Sequence, residues 1–211
     1  GLTTVDLASR ATIEETQRPY AGLCGIRWDG RVHDPALAPA HYTALQQEWR
    51  MLRGYREAWA KAPYPPVFVT VDALIECAGH VLLIVRGRAP GKGLYALPGG
   101  FLEQRETVYQ SALRELQEET GLHLLPGDIA HALKGVRVFD HPDRSQRGRV
   151  ITHAHHFDLG ARRLPEVSGS DDALSASWVP IGELAAMEDR FHDDHFHILD
   201  SFLGLTAPPP L

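Results

Sequence analysis

The chain has 211 residues, of which 44% are hydrophobic and 23% charged, as is ordinary for a globular protein large enough to bury a core. Its formal net charge of −6 argues against a nucleic-acid-binding surface as its main purpose, and no apolar run approaches the ~20 residues of a membrane-spanning helix. With two cysteines, no metal-binding spacing between them and no signal-peptide pattern, we expect a cytoplasmic protein with reduced thiols and with neither membrane nor nucleic acid as a partner.

The first third of the chain differs from the rest. Residues 1–39 show no clear periodicity, whereas residues 41–60 carry large apolar side chains at spacings of three and four and are predicted to form an amphipathic helix. The Ala-Pro-Tyr-Pro-Pro run at 62–66 cannot continue that helix and predicts a stiff joint. We therefore predict a largely helical N-terminal extension over residues 1–63, followed by one domain over residues 64–211.

Strands and helices alternate after this joint. Residues 67–75 and 81–85 are rich in β-branched side chains and predict two adjacent strands around a turn. Further strands are predicted at 136–139, 149–159 and 176–179, and helices at 181–187 and 195–202. Mixed strands and helices without internal repeats indicate an α/β fold class.

Residues 94–122 combine a strand, a glycine turn and a helix. The short apolar run at 94–97 is broken by Pro98-Gly99-Gly100. Thr107 and Gln110 then form a capping-box pattern, and Gly121 suits the left-handed residue that ends many helices. The sequence therefore predicts a helix between Thr107 and Gly121.

Three glutamates share one face of this helix. Glu118 and Glu119 stand three and four residues after Glu115, a spacing at which like charges repel and destabilise an isolated helix. With Glu106 nearby, the cluster is typical of a site for a hard divalent cation such as Mg²⁺, which prefers carboxylate oxygens. The alternative is a solvated acidic helix face without a ligand.

The same segment resembles the signature of the Nudix hydrolases, G-x5-E-x7-R-E-U-x-E-E-x-G-U, at every defined position (U is aliphatic). The matching residues are Gly100, Glu106, Arg114, Glu115, Leu116, Glu118, Glu119, Gly121 and Leu122. The resemblance implies an α/β/α sandwich built around a mixed sheet. It also implies hydrolysis of a diphosphate bond in a nucleotide derivative with Mg²⁺ as cofactor, or Mn²⁺ in its place.

The likeness extends over about residues 41–205. The blocks at 65–73, 96–101, 138–149 and 188–198 are similar to the C-terminal Nudix domain of bifunctional nicotinamide-mononucleotide adenylyltransferase/ADP-ribose pyrophosphatases. Residues 1–62 contain no match to the adenylyltransferase signature, so we do not expect this chain to join nicotinamide mononucleotide to ATP. The implied reaction is hydrolysis of ADP-ribose to AMP and ribose 5-phosphate.

The resemblance suggests a role for each residue of the signature. Glu115 and Glu119 are the expected metal ligands, with Glu118 as a further ligand or as the base that orients water. Glu106 is expected to serve a second metal or its water, and Arg114 to orient a carboxylate. Glu115, Glu118 and Arg114 are thus the predicted catalytic residues. The backbone carbonyl of Gly100 is a further candidate ligand, because glycine allows close approach.

Substrate contacts are predicted on either side of the signature. Arginine suits phosphate oxygens because its planar fork can bond two of them, and an aromatic ring can stack on adenine. A solvated arginine and a core aromatic are the competing interpretations of each residue alone. The candidates are Arg86, Arg88, Tyr95, Phe139, Arg144 and Arg147, with Lys92 and Arg149 nearby.

Several other residues could take part in chemistry. A mixed site at His192, His195 and His197 and a pair at His153 and His155 are alternative metal sites, but neither has a zinc-binding motif. Three acidic residues near the C-terminus are alternative general bases. They are Glu188, Asp189 and Asp194.

Three functions compete for this sequence. The first is a Mg²⁺-dependent ADP-ribose pyrophosphatase acting on a small nucleotide as a homodimer, an assembly that the resemblance implies. The second is a Nudix hydrolase of dinucleoside polyphosphates, NADH or oxidised nucleoside triphosphates. The third is an ADP-ribose-sensing transcriptional regulator, which the four intact glutamates disfavour.

Overall fold

The computed structural model describes residues 2–6, 12–15, 31–32 and 39–206, with side chains from residue 43 onward except at position 126. The strands are β1 (Leu2–Asp6), β2 (Thr12–Glu15), β3 (Arg31–Val32), β4 (Val67–Cys77), β5 (His80–Arg86), β6 (Tyr95–Ala96), β7 (Gly99–Phe101), β8 (Leu133–Phe139), β9 (Arg149–Asp158) and β10 (Ala173–Pro180). The helices are α1 (Pro39–Trp59), α2 (Val108–Thr120), α3 (Pro126–Ala132), α4 (Ile181–Leu184), a 3₁₀ helix (Ala185–Arg190) and α5 (His195–Leu203).

The N-terminal extension contains the predicted helix and a small sheet. Helix α1 agrees with the helix predicted over residues 41–60. Strands β1 to β3 form an antiparallel sheet in the order β2-β1-β3, which the sequence analysis did not predict. Their pairing joins Thr3 to Glu14 and Val5 to Val32, contacts that no local apolar period signals. Most of the described residues of the extension therefore lie in the predicted helix, and the small sheet adds to it.

A mixed sheet organises the remainder of the chain. Its strand order is β10-β5-β4-β9-β8, with β6 paired to β5 and β7 paired to β4. Strands β4 and β9 run parallel over ten residue pairs, and the other pairs are antiparallel. All the predicted strands are present. Helix α3 was not predicted from the sequence.

Apolar layers cover both faces of the sheet, as expected for the α/β/α sandwich. On one face, buried side chains of β4 and β5 pack on α4, the 3₁₀ helix and α5, with Leu74, Leu83, Phe191 and Ile198 at the centre. On the other face, Ile75, Leu82, Leu116, Ile129 and Phe157 join the sheet to α2 and α3. Cys77 is a buried free thiol in this second layer, and Cys24 lies outside the described residues. Within the described part of the chain, no helix is both long and apolar enough to span a bilayer.

A buried ion pair fastens the start of α5 to the loop before β9. Arg144 Nε and Nη2 donate to the two carboxylate oxygens of Asp194 at 2.9 and 2.7 Å. The two side chains are only 5% and 8% exposed. Because both charges are desolvated, each depends on the other for its stability in the folded chain.

Replacing Arg144 by Met should therefore destabilise the protein by about 3–5 kcal/mol, the usual cost of leaving one buried charge unpaired. The free energy of unfolding in urea measures this loss. The matched control is Arg53→Met, which breaks an exposed pair with Glu57 and should cost no more than about 1 kcal/mol. Equal losses in the two variants would contradict a special role for the buried pair.

Candidate active site

The glycine turn before α2 brings backbone into contact with two glutamates. Gly99 N–H donates to Glu119 Oε2 at 2.8 Å. A Cβ built on Gly100 would lie 2.4 Å from Glu115 Oε1, and one on Gly99 would lie 2.2 Å from the Val71 carbonyl oxygen. No side chain can therefore occupy either position without displacing the backbone or a glutamate. The predicted helix is present as α2, with both capping-box bonds between Thr107 and Gln110 formed.

Arg114 occupies the centre of the glutamate cluster. Its Nε donates to Glu106 Oε1 at 3.0 Å. Its Nη1 donates to Glu115 Oε1 at 2.8 Å and to Glu118 Oε2 at 3.0 Å. One guanidinium thus fixes three carboxylates, which is the orienting arrangement that the sequence predicts for Arg114. The hydrogen bonds from Arg114 hold the pKa of Glu106 below its ordinary value.

The two glutamates nearest the turn are poorly compensated. Burial, with a smaller contribution from Glu115 and Asp72, raises the pKa of Glu119 to about 8, although the bond from Gly99 opposes the shift. Burial also raises the pKa of Glu115, which gains further repulsion from Glu118 while Arg114 partly compensates it. Both shifts arise mainly because water is largely removed from these carboxylates, and repulsion between neighbouring carboxylates adds to them.

This donor set fits a hard divalent cation. Glu115, Glu118 and Glu119 present carboxylate oxygens from one helix face, and the backbone of Gly100 stands against Glu115. The raised pKa values of Glu115 and Glu119 mean that positive charge placed here would be stabilising. In the described residues, Arg114 holds Glu115 and Glu118, and no three acidic, histidine or cysteine groups converge on one point. Coordination by all three glutamates would therefore require Glu115 and Glu118 to turn away from Arg114.

A buried polar cluster supports the turn from the opposite face of the sheet. His195 Nδ1 accepts a hydrogen bond from Leu97 N–H at 3.0 Å and lies 3.7 Å from Asp72 Oδ1. Asp72 is also bonded by Thr152 Oγ1 at 2.5 Å. Since Arg144 anchors Asp194 immediately before His195, this ion pair positions the imidazole that holds the turn.

Two of the predicted arginines, Arg86 and Arg147, lie near Asp72 in the buried polar cluster. Burial lowers the pKa of Arg86, whose charge is also opposed by Arg147 and supported by Asp193 and Glu119. Arg147 stacks on Phe101, with its guanidinium carbon 5.2 Å from the ring centroid. Arg86 therefore places positive charge near Glu119, and Arg147 places it near Asp72, whereas the guanidinium of Arg144 is occupied by Asp194.

The other predicted substrate residues lie away from the glutamates or pack in the core. Arg88 is exposed and forms an ion pair with Asp172 at 2.9 Å. Tyr95 is half-buried between Phe191 and Arg190, and Phe139 packs on Phe202. Tyr95 and Phe139 thus adopt the core placement that the sequence analysis weighed against adenine stacking.

The predicted alternatives for a metal site and a general base include two neighbouring rings, His192 and His195, whose centroids are 5.8 Å apart. His155 is 1% exposed and stacks on Phe157, and the described residues contain no histidine-based metal set. Glu188 and Asp189 are exposed on the 3₁₀ helix, and Asp194 is held by Arg144. Sequence reasoning missed Asp72 as a part of this region. An acidic residue within the β-branched run of β4 was the available signal, since a lone buried carboxylate needs partners.

Comparisons with known proteins agree with the family resemblance of the sequence. A family model described as the NUDIX domain matches residues 66–202. The chain is 36% identical over 135 residues to an ADP-ribose pyrophosphatase of Methanocaldococcus jannaschii, which covers 64% of this chain and 72% of that protein. It is 40% identical over 169 residues to the ADPR responsive transcriptional repressor NtrR of Acinetobacter baylyi, which covers 77% of this chain and 64% of the repressor.

A similar solved structure is a bifunctional NMN adenylyltransferase/ADP ribose pyrophosphatase from Francisella tularensis, also determined in complex with AMP and a Mn ion. Its TM-score is 0.75 at 42% identity, over 77% of this chain and 48% of that one. This chain thus spans about half the length of the Francisella protein.

The buried imidazole of His195 makes stability depend on pH. Burial lowers its pKa to about 3, so the folded protein keeps it neutral while the unfolded chain protonates it below about 6.5. Stability from this group is complete above about pH 6.5 and is lost as pH falls, by roughly 2 kcal/mol between pH 7.5 and 5. Urea unfolding at both pH values measures the loss.

His195→Asn is the control for this prediction, because its amide oxygen can still accept from Leu97 N–H but does not titrate. The difference in stability between pH 7.5 and 5 should be smaller in this variant than in the wild type. The same pH dependence in both proteins would show that His195 is protonated in the folded state as readily as in the unfolded chain.

Proposed function

Because the chain belongs to the NUDIX family, we propose that it hydrolyses the diphosphate bond of ADP-ribose in a Mg²⁺-dependent reaction that yields AMP and ribose 5-phosphate. The observation that carries this proposal is the contact of Glu115 and Glu119 with the glycine turn, in a place where burial raises the pKa of both carboxylates. The ADP-ribose pyrophosphatases named above, similar at 36% and 42% identity, support the choice of substrate.

Each signature residue has a distinct task in the proposed mechanism. Glu115 and Glu119 would hold the divalent cation, which when bound supplies positive charge that screens the diphosphate and acidifies water. Glu106 would serve a second metal or its water, and the Gly100 carbonyl is the candidate backbone ligand. Arg114 gathers Glu106, Glu115 and Glu118 around one guanidinium, and Glu115 would turn from this bond to meet the cation.

Glu118 is the proposed base that accepts the proton of the attacking water. It exposes 48% of its side chain, against 13% for Glu115, so a proton taken from water can pass to solvent. It bonds Arg114 through Oε2. Arg86 and Arg147 are the proposed diphosphate ligands, because Arg86 lies close enough to Glu119 to influence its charge and Arg147 stacks on Phe101 beside the glycine turn.

Further expectations belong to the same proposal. They are the division of the chain at residues 63 and 64, Mn²⁺ as an alternative to Mg²⁺, assembly as a homodimer, and a cytoplasmic location. The Mn ion in one Francisella structure supports the choice of cation.

The similarity to the Acinetobacter repressor favours one second candidate function. A regulator of that kind would bind ADP-ribose without needing to cleave it. The four glutamates and Arg114 are all present here and mutually oriented, which favours hydrolysis. Turnover therefore separates the two candidates: a protein that binds ADP-ribose but releases no AMP in excess Mg²⁺ would support the regulator.

Replacing Glu119 by Gln should lower kcat for ADP-ribose by about a hundredfold or more, because it removes a charge needed where the transition state is stabilised. Release of AMP in excess Mg²⁺ measures the effect, and circular dichroism verifies the fold. The matched control is Glu183→Gln on the exposed surface of α4, which should retain wild-type activity. Wild-type turnover in Glu119→Gln would remove this residue from the metal site.

A substrate panel tests the choice of nucleotide. ADP-ribose, NADH, diadenosine polyphosphates and 8-oxo-dGTP should be compared by kcat/KM at the same Mg²⁺ concentration. We expect ADP-ribose to exceed each competitor by at least about tenfold, a preference of ~1.4 kcal/mol in the transition state. A better competitor would transfer the proposal to another substrate of the same family, with the metal site unchanged.

A further inference from the structure

A cavity of about 430 Å³ opens between the end of α1 and the start of β4 and β9. Its size is within the range that accommodates a small ligand. It is lined by two aromatic rings and three arginines, together with small residues and prolines. The rings are Trp59 and Phe68, and the arginines are Arg56, Arg147 and Arg149.

The rings offer an incomplete stacking site. The centroids of Trp59 and Phe68 are 4.5 Å apart with an interplanar angle of 49°, so the two rings meet at an angle and are not stacked face to face. Both side chains are only half-buried, although each belongs to a large apolar type. A planar group could therefore cover apolar surface here that remains open to solvent.

All the charged side chains that line the cavity within the described residues are positive. Arg149 donates to the backbone carbonyl of Asp140 at 2.5 Å. Because this carbonyl is neutral, the bond does not cancel the positive charge of the guanidinium. Arg147 stacks on an aromatic ring and donates to Ser145 Oγ at 3.4 Å. A ligand that combines a planar ring with a phosphate matches this wall better than a neutral apolar molecule does.

Phe101 connects the cavity to the glutamate cluster. Its ring lies 5.9 Å from Phe68 and 5.2 Å from the Arg147 guanidinium carbon. Its carbonyl oxygen, on the other side, accepts from Arg114 Nη2 at 3.5 Å. A ligand whose base contacted Trp59 could therefore direct its phosphate past Arg147 towards the glutamates.

We propose that the cavity between Trp59, Phe68 and Arg147 binds the nucleoside monophosphate half of the substrate, with the base against the two rings. This assignment rests on the proposed function for the identity of the base. It makes Trp59, which lies in the N-terminal extension, part of the substrate site. The extension then contributes to recognition as well as to packing.

Isothermal titration of the full chain with AMP and, separately, with ribose 5-phosphate tests the assignment in the presence of Mg²⁺. Trp59→Leu should weaken AMP binding by at least about tenfold, as expected for loss of one base–aromatic contact. Ribose 5-phosphate binding should stay within about twofold, because it lacks a base. The matched control is Trp49→Leu, the same substitution in the same helix away from the cavity, which should leave both affinities unchanged.

Kinetics provide a second measurement on the same variants. With ADP-ribose, Trp59→Leu should raise KM by about tenfold and leave kcat within about twofold, since the base lies far from the reacting bond. If Trp59→Leu fails to fold by circular dichroism, Phe68→Leu replaces it, because leucine keeps most of the apolar volume at that position.

The outcomes separate this inference from the proposed function. If the wild type hydrolyses ADP-ribose but the cavity variants bind AMP as tightly as Trp49→Leu does, the cavity assignment is overturned and the function stands. Loss of ribose 5-phosphate affinity without loss of AMP affinity would assign the cavity to the other half of the substrate and also overturn it. If ADP-ribose is not cleaved but AMP binding still depends on Trp59, the cavity assignment stands and the function does not.

Discussion

The candidate site depends on the absence of side chains at Gly99 and Gly100. These two residues of β7 lie between β4 on one side and α2 on the other, and the space for a Cβ is taken at Gly99 by the Val71 carbonyl and at Gly100 by Glu115. The close approach allows Gly99 N–H to reach Glu119. It also removes water from both glutamates, and burial is the main reason that their pKa values rise. The raised pKa values are therefore a consequence of how closely backbone and helix are packed.

The same turn is restrained from the other face of the sheet. Leu97 N–H is bonded to His195, and the ion pair between Arg144 and Asp194 fixes the start of the helix that carries this imidazole. Two layers of the sandwich thus meet at one short segment, with α2 supplying the glutamates and α5 supplying the support. This arrangement limits movement of the turn, which matters because a carboxylate displaced by about 1 Å no longer has the geometry that catalysis requires.

The sequence predicted those parts of the site that depend on local spacing. The capping box at Thr107 and the left-handed Gly121 delimit α2, and a three-and-four spacing puts the glutamates on one face. The apolar period of α1 likewise marked that helix. Contacts between distant residues cannot be predicted from local spacing: Arg144 and Asp194 are 50 residues apart, and Asp72 and Thr152 are 80 apart. The small sheet of β1 to β3 and the short helix α3 also lacked a pattern long enough to detect.

Charge explains why the arginines near the site are arranged as they are. A chain with a net charge of −6 has no overall attraction for an anionic substrate, and its glutamate cluster adds local repulsion. Binding must therefore come from short-range positive charge, within about 8–10 Å at physiological salt. Arg86 lies within the influence of Glu119 and Asp72, and Arg147 within that of Asp72, whereas Arg144 is bonded to Asp194. Under the proposed function, Arg86 and Arg147 would attract phosphate while Arg144 maintains the fold. The residue type alone does not reveal this division, because it depends on the surroundings of each guanidinium.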